Sequence, residues 1–362
     1  MQLPSFLKFL KFASFFRKSV IGLDIGTLSI KAVEITKKES GELMLSNYAL
    51  FDNYQKIELI LNSGEGIFLS NEAETAKLIQ WLFKQAGIVT KDVNISIPAS
   101  FAFTTLIEFP YMPDNEINKA VPYEARQYVP MPIAQVALDW SIIKEEGEGR
   151  VKVFLIAIPY EIIEKYKRIA QLAGLNLQAL EFENLGTVRS LTRSDPLPSF
   201  IVDMGAHFTR VIAVYRGNIY SSKNIEFAGN SLTAAIASGA QIDYLRAESI
   251  KRDRGLRVFP QEAELKNLML PLLDKIMSDI KRELEDAQRV IGKRIEKIVL
   301  CGGTATLAGL LEYAAPQFPE HSFSMGNPLK DIEVPSNVAA NLRDKAHKFA
   351  TAVGLALREF AQ

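Results

Sequence analysis

Val20-Ile21-Gly22-Leu23-Asp24-Ile25-Gly26-Thr27-Leu28-Ser29-Ile30-Lys31 is an apolar run that ends in Asp-x-Gly and passes straight into a second apolar run. That texture predicts a buried strand, a tight turn and a returning strand over 29–36. The pattern recurs in Phe200-Ile201-Val202-Asp203-Met204-Gly205, followed by a predicted strand over 209–215, a turn at Arg216-Gly217-Asn218 and a strand over 219–227. Two copies of strand, Asp-x-Gly and hairpin predict a duplicated α/β fold.

The segments between and after the copies fill in around them. A third strand is expected over 42–50, then a polar loop with Asn62-Ser63-Gly64, a helix over 71–86 stopped by Gly87, and a buried strand over 93–98. The texture changes where Pro110, Pro113, Pro122 and Pro130 cluster. A helix capped by Asp114, with Glu116 in its first turn, is expected there. Strands over 136–144 and 151–158 around a turn at 145–150, and a helix over 160–173 closed by Gly174, complete a helix–strand–strand–helix block. The block reads as an inserted subdomain over 110–175. A strand over 177–183, a helix over 184–192 and a linker over 194–199 lead to the second copy. Helices over 231–237, 247–254 and 262–290, a buried strand over 297–301 and closing helices follow. The predicted domains are an arm, 1–18; a first lobe, 19–109 and 176–195; the insert; a second lobe, 196–230 and 295–362; and a helical subdomain, 231–294.

Composition narrows the functions. Lys+Arg and Asp+Glu are 42 each among 362 residues, so bulk positive charge for gripping nucleic acid is absent. Cys301 is the one cysteine, which excludes an internal disulfide and a multi-thiolate zinc site. With 3 histidines, His-rich metal chemistry is not expected. The longest apolar runs are strand-sized, well short of a membrane span. Residues 5–18, Ser-Phe-Leu-Lys-Phe-Leu-Lys-Phe-Ala-Ser-Phe-Phe-Arg-Lys, place Phe6, Phe9, Leu10, Ala13 and Phe16 on one helical face and Lys8, Lys11 and Lys18 opposite. Peripheral contact with an anionic membrane surface and a partner-docking arm are both open readings of this segment.

Five features carry chemistry. In Asp24–Lys31 a carboxylate ends a strand, Gly26 permits a tight turn, amides and the Thr27 and Ser29 hydroxyls can cradle phosphate, and Lys31 adds a point charge. Asp203-Met204-Gly205-Ala206-His207 repeats the carboxylate and the turn. Asp24 and Asp203 facing one another across a cleft would suit Mg²⁺ held mostly through water. Gly302-Gly303-Thr304 ends a buried strand and lets a flat ligand approach the backbone. Glu248, Lys251 and Arg252 share one helical face, either a binding face or a solvated one. Glu183 closes a strand before a helix, where it is either an ordinary boundary carboxylate or a group that orients an attacking water.

These loops, in this order, resemble the actin, heat-shock-chaperone and sugar-kinase ATPase superfamily across 20–360. The resemblance implies a duplicated, two-lobe actin/ribonuclease-H-like fold with ATP and Mg²⁺ between the lobes. It assigns Asp24, Gly26, Thr27, Leu28 and Lys31 to a first phosphate loop and Asp203, Gly205 and Ala206 to a second. Gly302, Gly303 and Thr304, with Glu248, Lys251 and Arg252, fall where relatives contact adenosine, and Glu183 where they carry the catalytic Gln or Glu. The insert lies where the division protein FtsA carries its own. Ala120-Val121-Pro122-Tyr123-Glu124-Ala125-Arg126-Gln127-Tyr128-Val129-Pro130-Met131-Pro132 and Ile21-Gly22-Leu23-Asp24-Ile25-Gly26 resemble the PilM family of cytoplasmic type IV pilus assembly proteins. That resemblance implies an ATP-binding scaffold peripheral to the inner membrane. It would dock the cytoplasmic N-terminal peptide of PilN in a groove involving the insert, with Tyr123, Arg126 and Tyr128 as groove candidates. Other pilus platform and motor proteins would be further partners. Ala206-His207 replaces the small residues common in the second loop, so binding is expected more firmly than hydrolysis, and self-association stays open. The alternative is an FtsA-like cell-division filament protein, although 351–362 reads as a closing helix and not as that family's terminal anchor. A sugar kinase would need a further Asp as base, and none stands out.

Overall fold

The computed structural model describes residues 19–52, 71–144, 149–193, 195–257, 263–342 and 344–360. The arm expected at 5–18, the loop at 62–64 and most of the turn at 145–150 lie outside them. The first copy forms β1 (Ser19–Ile25), β2 (Ser29–Lys37) and β3 (Leu43–Asp52). Val20, Ile21, Leu23 and Ile25 are all buried, as a strand covered on both faces requires. Helix α1 (Glu72–Ala86) starts where the Asn71 side chain accepts from the Glu74 N–H and ends at Gly87 in the left-handed conformation. It precedes β4 (Asp92–Ile97), which pairs parallel with β1.

The insert differs from its expected outline. It opens with a strand, β5 (Phe103–Pro110), continues through α2 (Asp114–Tyr128) and ends in β6 (Val136–Lys144) and β7 (Arg150–Pro159), with sheet order β5-β7-β6. The sequence hid β5 because its Thr104, Thr105 and Leu106 are half-buried and break the alternation. Pro113, with φ −61, is the N-cap of α2, and Asp114 is its first residue. Ile117, Val121 and Ala125 form one stripe of α2 and pack on Ile107, Phe109, Val151, Val153 and Leu155. The other sheet face sends Ile143, Phe154 and Ile156 into the second-lobe core. Helix α3 (Tyr160–Leu172) is not part of the insert. It packs on α1, and its Ile162, Tyr166 and Ile169 belong to the first-lobe core.

The chain then forms β8 (Asn176–Phe182), α4 (Glu183–Leu191), β9 (Ser199–Met204), β10 (Thr209–Tyr215) and β11 (Asn218–Ile225). Helices α5 (Gly229–Ala240), α6 (Tyr244–Arg254) and α7 (Ala263–Ile291) follow, then β12 (Lys297–Cys301), α8 (Leu310–Ala314), β13 (Ser322–Met325), α9 (Ser336–Leu342) and α10 (Ala350–Leu357). The sheet orders are β3-β2-β1-β4-β8 and β11-β10-β9-β12-β13, the same winding twice. The duplication read from the two Asp-x-Gly copies is therefore one of topology. The second lobe does not keep the chain to its end. Helix α10 packs on β1 and β2 and crosses α4, and Ala352, Val353 and Ala356 join Val33, Ile35 and Leu45 in one cluster.

Candidate functional site

Both Asp-x-Gly turns close in the same way. The Gly26 N–H donates to Ser29 O at 2.9 Å, and the Gly205 N–H donates to Phe208 O at 3.0 Å. The antiparallel registers then place Asp24 opposite Lys31 and Asp203 opposite Arg210. Lys31 Nζ donates to Asp24 at 2.9 Å and Ser96 Oγ donates to it at 2.8 Å. Burial pushes the Asp24 carboxyl up, but Lys31 and Ser96 outweigh it and hold it below its ordinary value. The guanidinium of Arg210 pairs with Asp203 and Glu183 together. Glu183, the first residue of α4 and not the last of β8, also accepts from the Ala99 N–H. Burial raises the Glu183 pKa, and Arg210 opposes that rise without cancelling it.

The remaining expected residues converge on the same place. Gly302 has φ +93, and a Cβ there would stand 2.2 Å from Asp203 Oδ1, so only glycine lets the third loop lie on the second. Thr304 Oγ1 donates to Gly205 O at 2.6 Å. Glu248 is 3% exposed and accepts from Thr233, Lys251 and Arg252. Lys251 Nζ reaches Glu248 at 2.6 Å and Gly229 O at 2.9 Å. Burial lowers the Lys251 pKa beyond what Glu248 restores. Arg252 also crosses to the other lobe, donating to Asp52 at the end of β3 at 2.7 Å. Leu28 packs against Ala206 and Tyr244, an apolar contact between the two phosphate-loop candidates. Every nucleotide-site residue expected from the sequence, together with Arg210 and Asp52, lines one cleft of about 640 Å³, within the range of roughly 300–1,000 Å³ usual for small-molecule sites.

Among the lining residues not read from the sequence are Arg210, His347 and Lys348. Arg210 had a signal, because Asp203-x₆-Arg210 repeats the spacing of Asp24-x₆-Lys31. His347 and Lys348 had none, since they arrive on the returning C-terminal segment. Burial pushes the His347 imidazole down to about 4, and its Nε2 has no hydrogen-bond partner among the described residues. Lys348 is also lowered, by burial and then by Arg252.

Direct ligation of the expected Mg²⁺ by Asp24 and Asp203 does not fit this donor set. Each carboxylate already holds a cation, and no group of three or more His, Cys, Asp or Glu suited to a metal exists among the described residues. No helix of the described residues is long and apolar enough to cross a membrane.

Residues 22–360 match the family described as type IV pilus assembly protein PilM. Among solved structures, a chain of the PilM-PilN type IV pilus biogenesis complex superposes with TM-score 0.80 at 24% identity, covering 94% of this chain and 98% of that one. The ethanolamine utilization protein EutJ of Carboxydothermus hydrogenoformans gives 0.56 at 16% identity over 95% and 90% of the two chains. MreB5 of Spiroplasma citri bound to ADP gives 0.50 at 15% over 91% and 98%. These likenesses establish the actin-like fold. Cell division protein FtsA of Staphylococcus epidermidis is 25% identical over 187 residues, 45% of this chain and only 39% of that protein's length.

Proposed function

The chain belongs to the PilM family of type IV pilus assembly proteins, and from that membership we propose that it is an ATP-binding scaffold of the pilus assembly platform, working at the cytoplasmic face of the inner membrane. The observation that carries the nucleotide reading is the pair of identically closed Asp-x-Gly turns on one cleft. Their backbone amides suit phosphate oxygens, and Lys31 supplies a point charge. Gly303 offers a bare face on which a base can lie, for nothing stands within 4 Å of a Cβ built there. ADP in the MreB5 relative agrees with this chemistry.

The partner reading carries over from the relative solved as a PilM-PilN complex. A PilN-type cytoplasmic peptide would dock on the insert, where Tyr111, Tyr123 and Tyr128 are exposed and the Arg126 guanidinium stacks over Tyr123 at 5.3 Å. Exposed aromatics gathered on one subdomain favour a protein contact. The insert is threaded through the first lobe yet shares the core of the second. Relative motion of the lobes would therefore shift it, which is how nucleotide would reach the peptide and, through it, the other platform and motor proteins.

Titration calorimetry tests both halves. ATP and a synthetic PilN-type N-terminal peptide are each expected to bind, and each to change the other's affinity by the same factor. Absence of ATP binding removes the nucleotide reading. A peptide that fails to bind removes the partner reading and leaves the fold.

A further inference from the structure

We propose that Arg210 is the resident cation of the cleft, serving Asp203 and Glu183 in place of a divalent metal, so that nucleotide binding here needs no divalent ion. The nucleotide half of the proposal rests on the function proposed above. Arg210 occupies in the second half the register position that Lys31 occupies in the first. Its side chain is longer and forked. Where Lys31 neutralises Asp24, Arg210 spans Asp203 and Glu183 with two separate nitrogens. A planar guanidinium suits such a bridge, and its charge does not titrate away.

The carboxylates have little left to offer a metal. One Asp203 oxygen is held by Arg210, and the other lies against Gly302 so closely that no Cβ fits between them. Glu183 is held by Arg210 through one oxygen and by the Ala99 N–H through the other. Each Glu183 oxygen already accepts one bond, the charge is neutralised by Arg210 and the residue is 3% exposed, so Glu183 is a weak base with little access for water while Arg210 is in place. The same guanidinium that makes the metal unnecessary for binding thereby holds hydrolysis down.

Two measurements on the full chain test this. A fluorescent ATP analogue is titrated in excess Mg²⁺ and in EDTA. Mn²⁺ binding is followed by electron paramagnetic resonance without nucleotide. The wild type is expected to hold the analogue with affinities within about threefold of each other in the two buffers, and to show no Mn²⁺ site that Asp203→Asn removes. Arg210→Gln is expected to gain such a site, to make nucleotide binding Mg²⁺-dependent by about tenfold or more, and to raise ATP turnover. Arg210→Lys, which keeps the charge, is expected to gain no Mn²⁺ site. A wild type that loses about tenfold or more of its nucleotide affinity in EDTA overturns the proposal. So does a wild-type Mn²⁺ signal that Asp203→Asn abolishes, and this arm needs no Arg210 variant to fold. If the analogue binds in neither buffer, the nucleotide reading falls, while the Mn²⁺ arm still decides whether Arg210 excludes the metal.

Discussion

Gly354 on α10 crosses Gly186 on α4 so closely that a Cβ built on Gly354 would stand 1.7 Å from the Gly186 carbonyl oxygen. The crossing joins the two halves of the cleft wall, because α4 begins with Glu183 and α10 begins with Ala350 and Thr351. The Thr187 and Thr351 hydroxyls meet across it at 2.9 Å. On its other side α10 presses on β1, where a Cβ on Gly22 would lie 1.9 Å from Ala352 O.

The two glycines at this crossing are unequal. For Gly354→Ala the obstructing atoms are all backbone and cannot swing aside, so overpacking is expected to cost about 3 kcal/mol or more. A Cβ on Gly186 would meet Thr351 O at 3.0 Å, a contact that small shifts relieve, and alanine there regains about 1 kcal/mol of helix propensity. Gly186→Ala should therefore be much milder. Urea denaturation of the two variants checks the order, and equal losses would mean that α4 and α10 separate freely.

Glu248 and Asp52 share Arg252 but should differ greatly when removed. Glu248 is buried and satisfies Lys251, Thr233 and Arg252, and Glu248→Ala would take the ion-pair partner from the buried Lys251, leaving it the neutral acceptors Gly229 O and Thr233 Oγ1. Breaking a buried pair costs about 3–5 kcal/mol. The Arg252–Asp52 pair is 39% and 27% exposed at its side chains, so Asp52→Ala should cost less than about 1 kcal/mol. That pair spans the lobes, so the informative readout for Asp52→Ala is the rate at which a bound nucleotide analogue leaves, which should rise. An unchanged off-rate would remove any role for the pair in holding the cleft closed.

Local chemistry was legible in the sequence, and long-range allegiance was not. The Asp-x-Gly turns, the Gly302-Gly303-Thr304 loop and the i, i+3, i+4 face of Glu248, Lys251 and Arg252 each depend on residues close in the chain. All of them reach the cleft. The owner of a segment is set by distant partners. Helix α3 shows the same apolar period whether it covers the insert or α1, and nothing near it in sequence tells which. The return of α10 to the first lobe is marked by Gly22, Gly186 and Gly354, whose meaning appears only when their backbones touch. His347 and Lys348 reach the cleft for the same reason, on a segment without a motif. Glu183 was found, but its engagement by Arg210 needed the register of β9 and β10.

Gly302 and Gly303 are adjacent and should respond oppositely to a side chain. Gly302→Ala meets Asp203 Oδ1 and Met204 O and sits at positive φ, so it should destabilise by about 2–3 kcal/mol. Gly303 has φ −67 and ψ −41, ordinary for any residue, and open space where its Cβ would be. Gly303→Gln should leave the melting temperature unchanged and abolish calorimetric ATP binding by filling the face on which the base would lie. Retained ATP affinity in a folded Gly303→Gln protein would place the base elsewhere.

His347 gives the fold an acid sensitivity with a defined window. Its imidazole is lowered from an ordinary 6.5 to about 4 by burial first and by Lys348 second. Folding thus disfavours the protonated form, and between these values the unfolded chain binds more protons than the folded one. The stability that His347 contributes is complete above about pH 6.5 and is lost as the pH falls towards 4, by up to about 3 kcal/mol. Asp24 and Glu248, held below their ordinary 3.8 and 4.5, add their own losses only at the acid end of that window and beneath it. His347→Gln should therefore flatten the dependence of unfolding free energy on pH between about 6.5 and 4.5 and leave the steeper fall below it. Chemical denaturation across that range reads the slope. An identical slope in wild type and variant would mean that the imidazole is solvated in the folded protein and that its Nε2 finds water in the cleft.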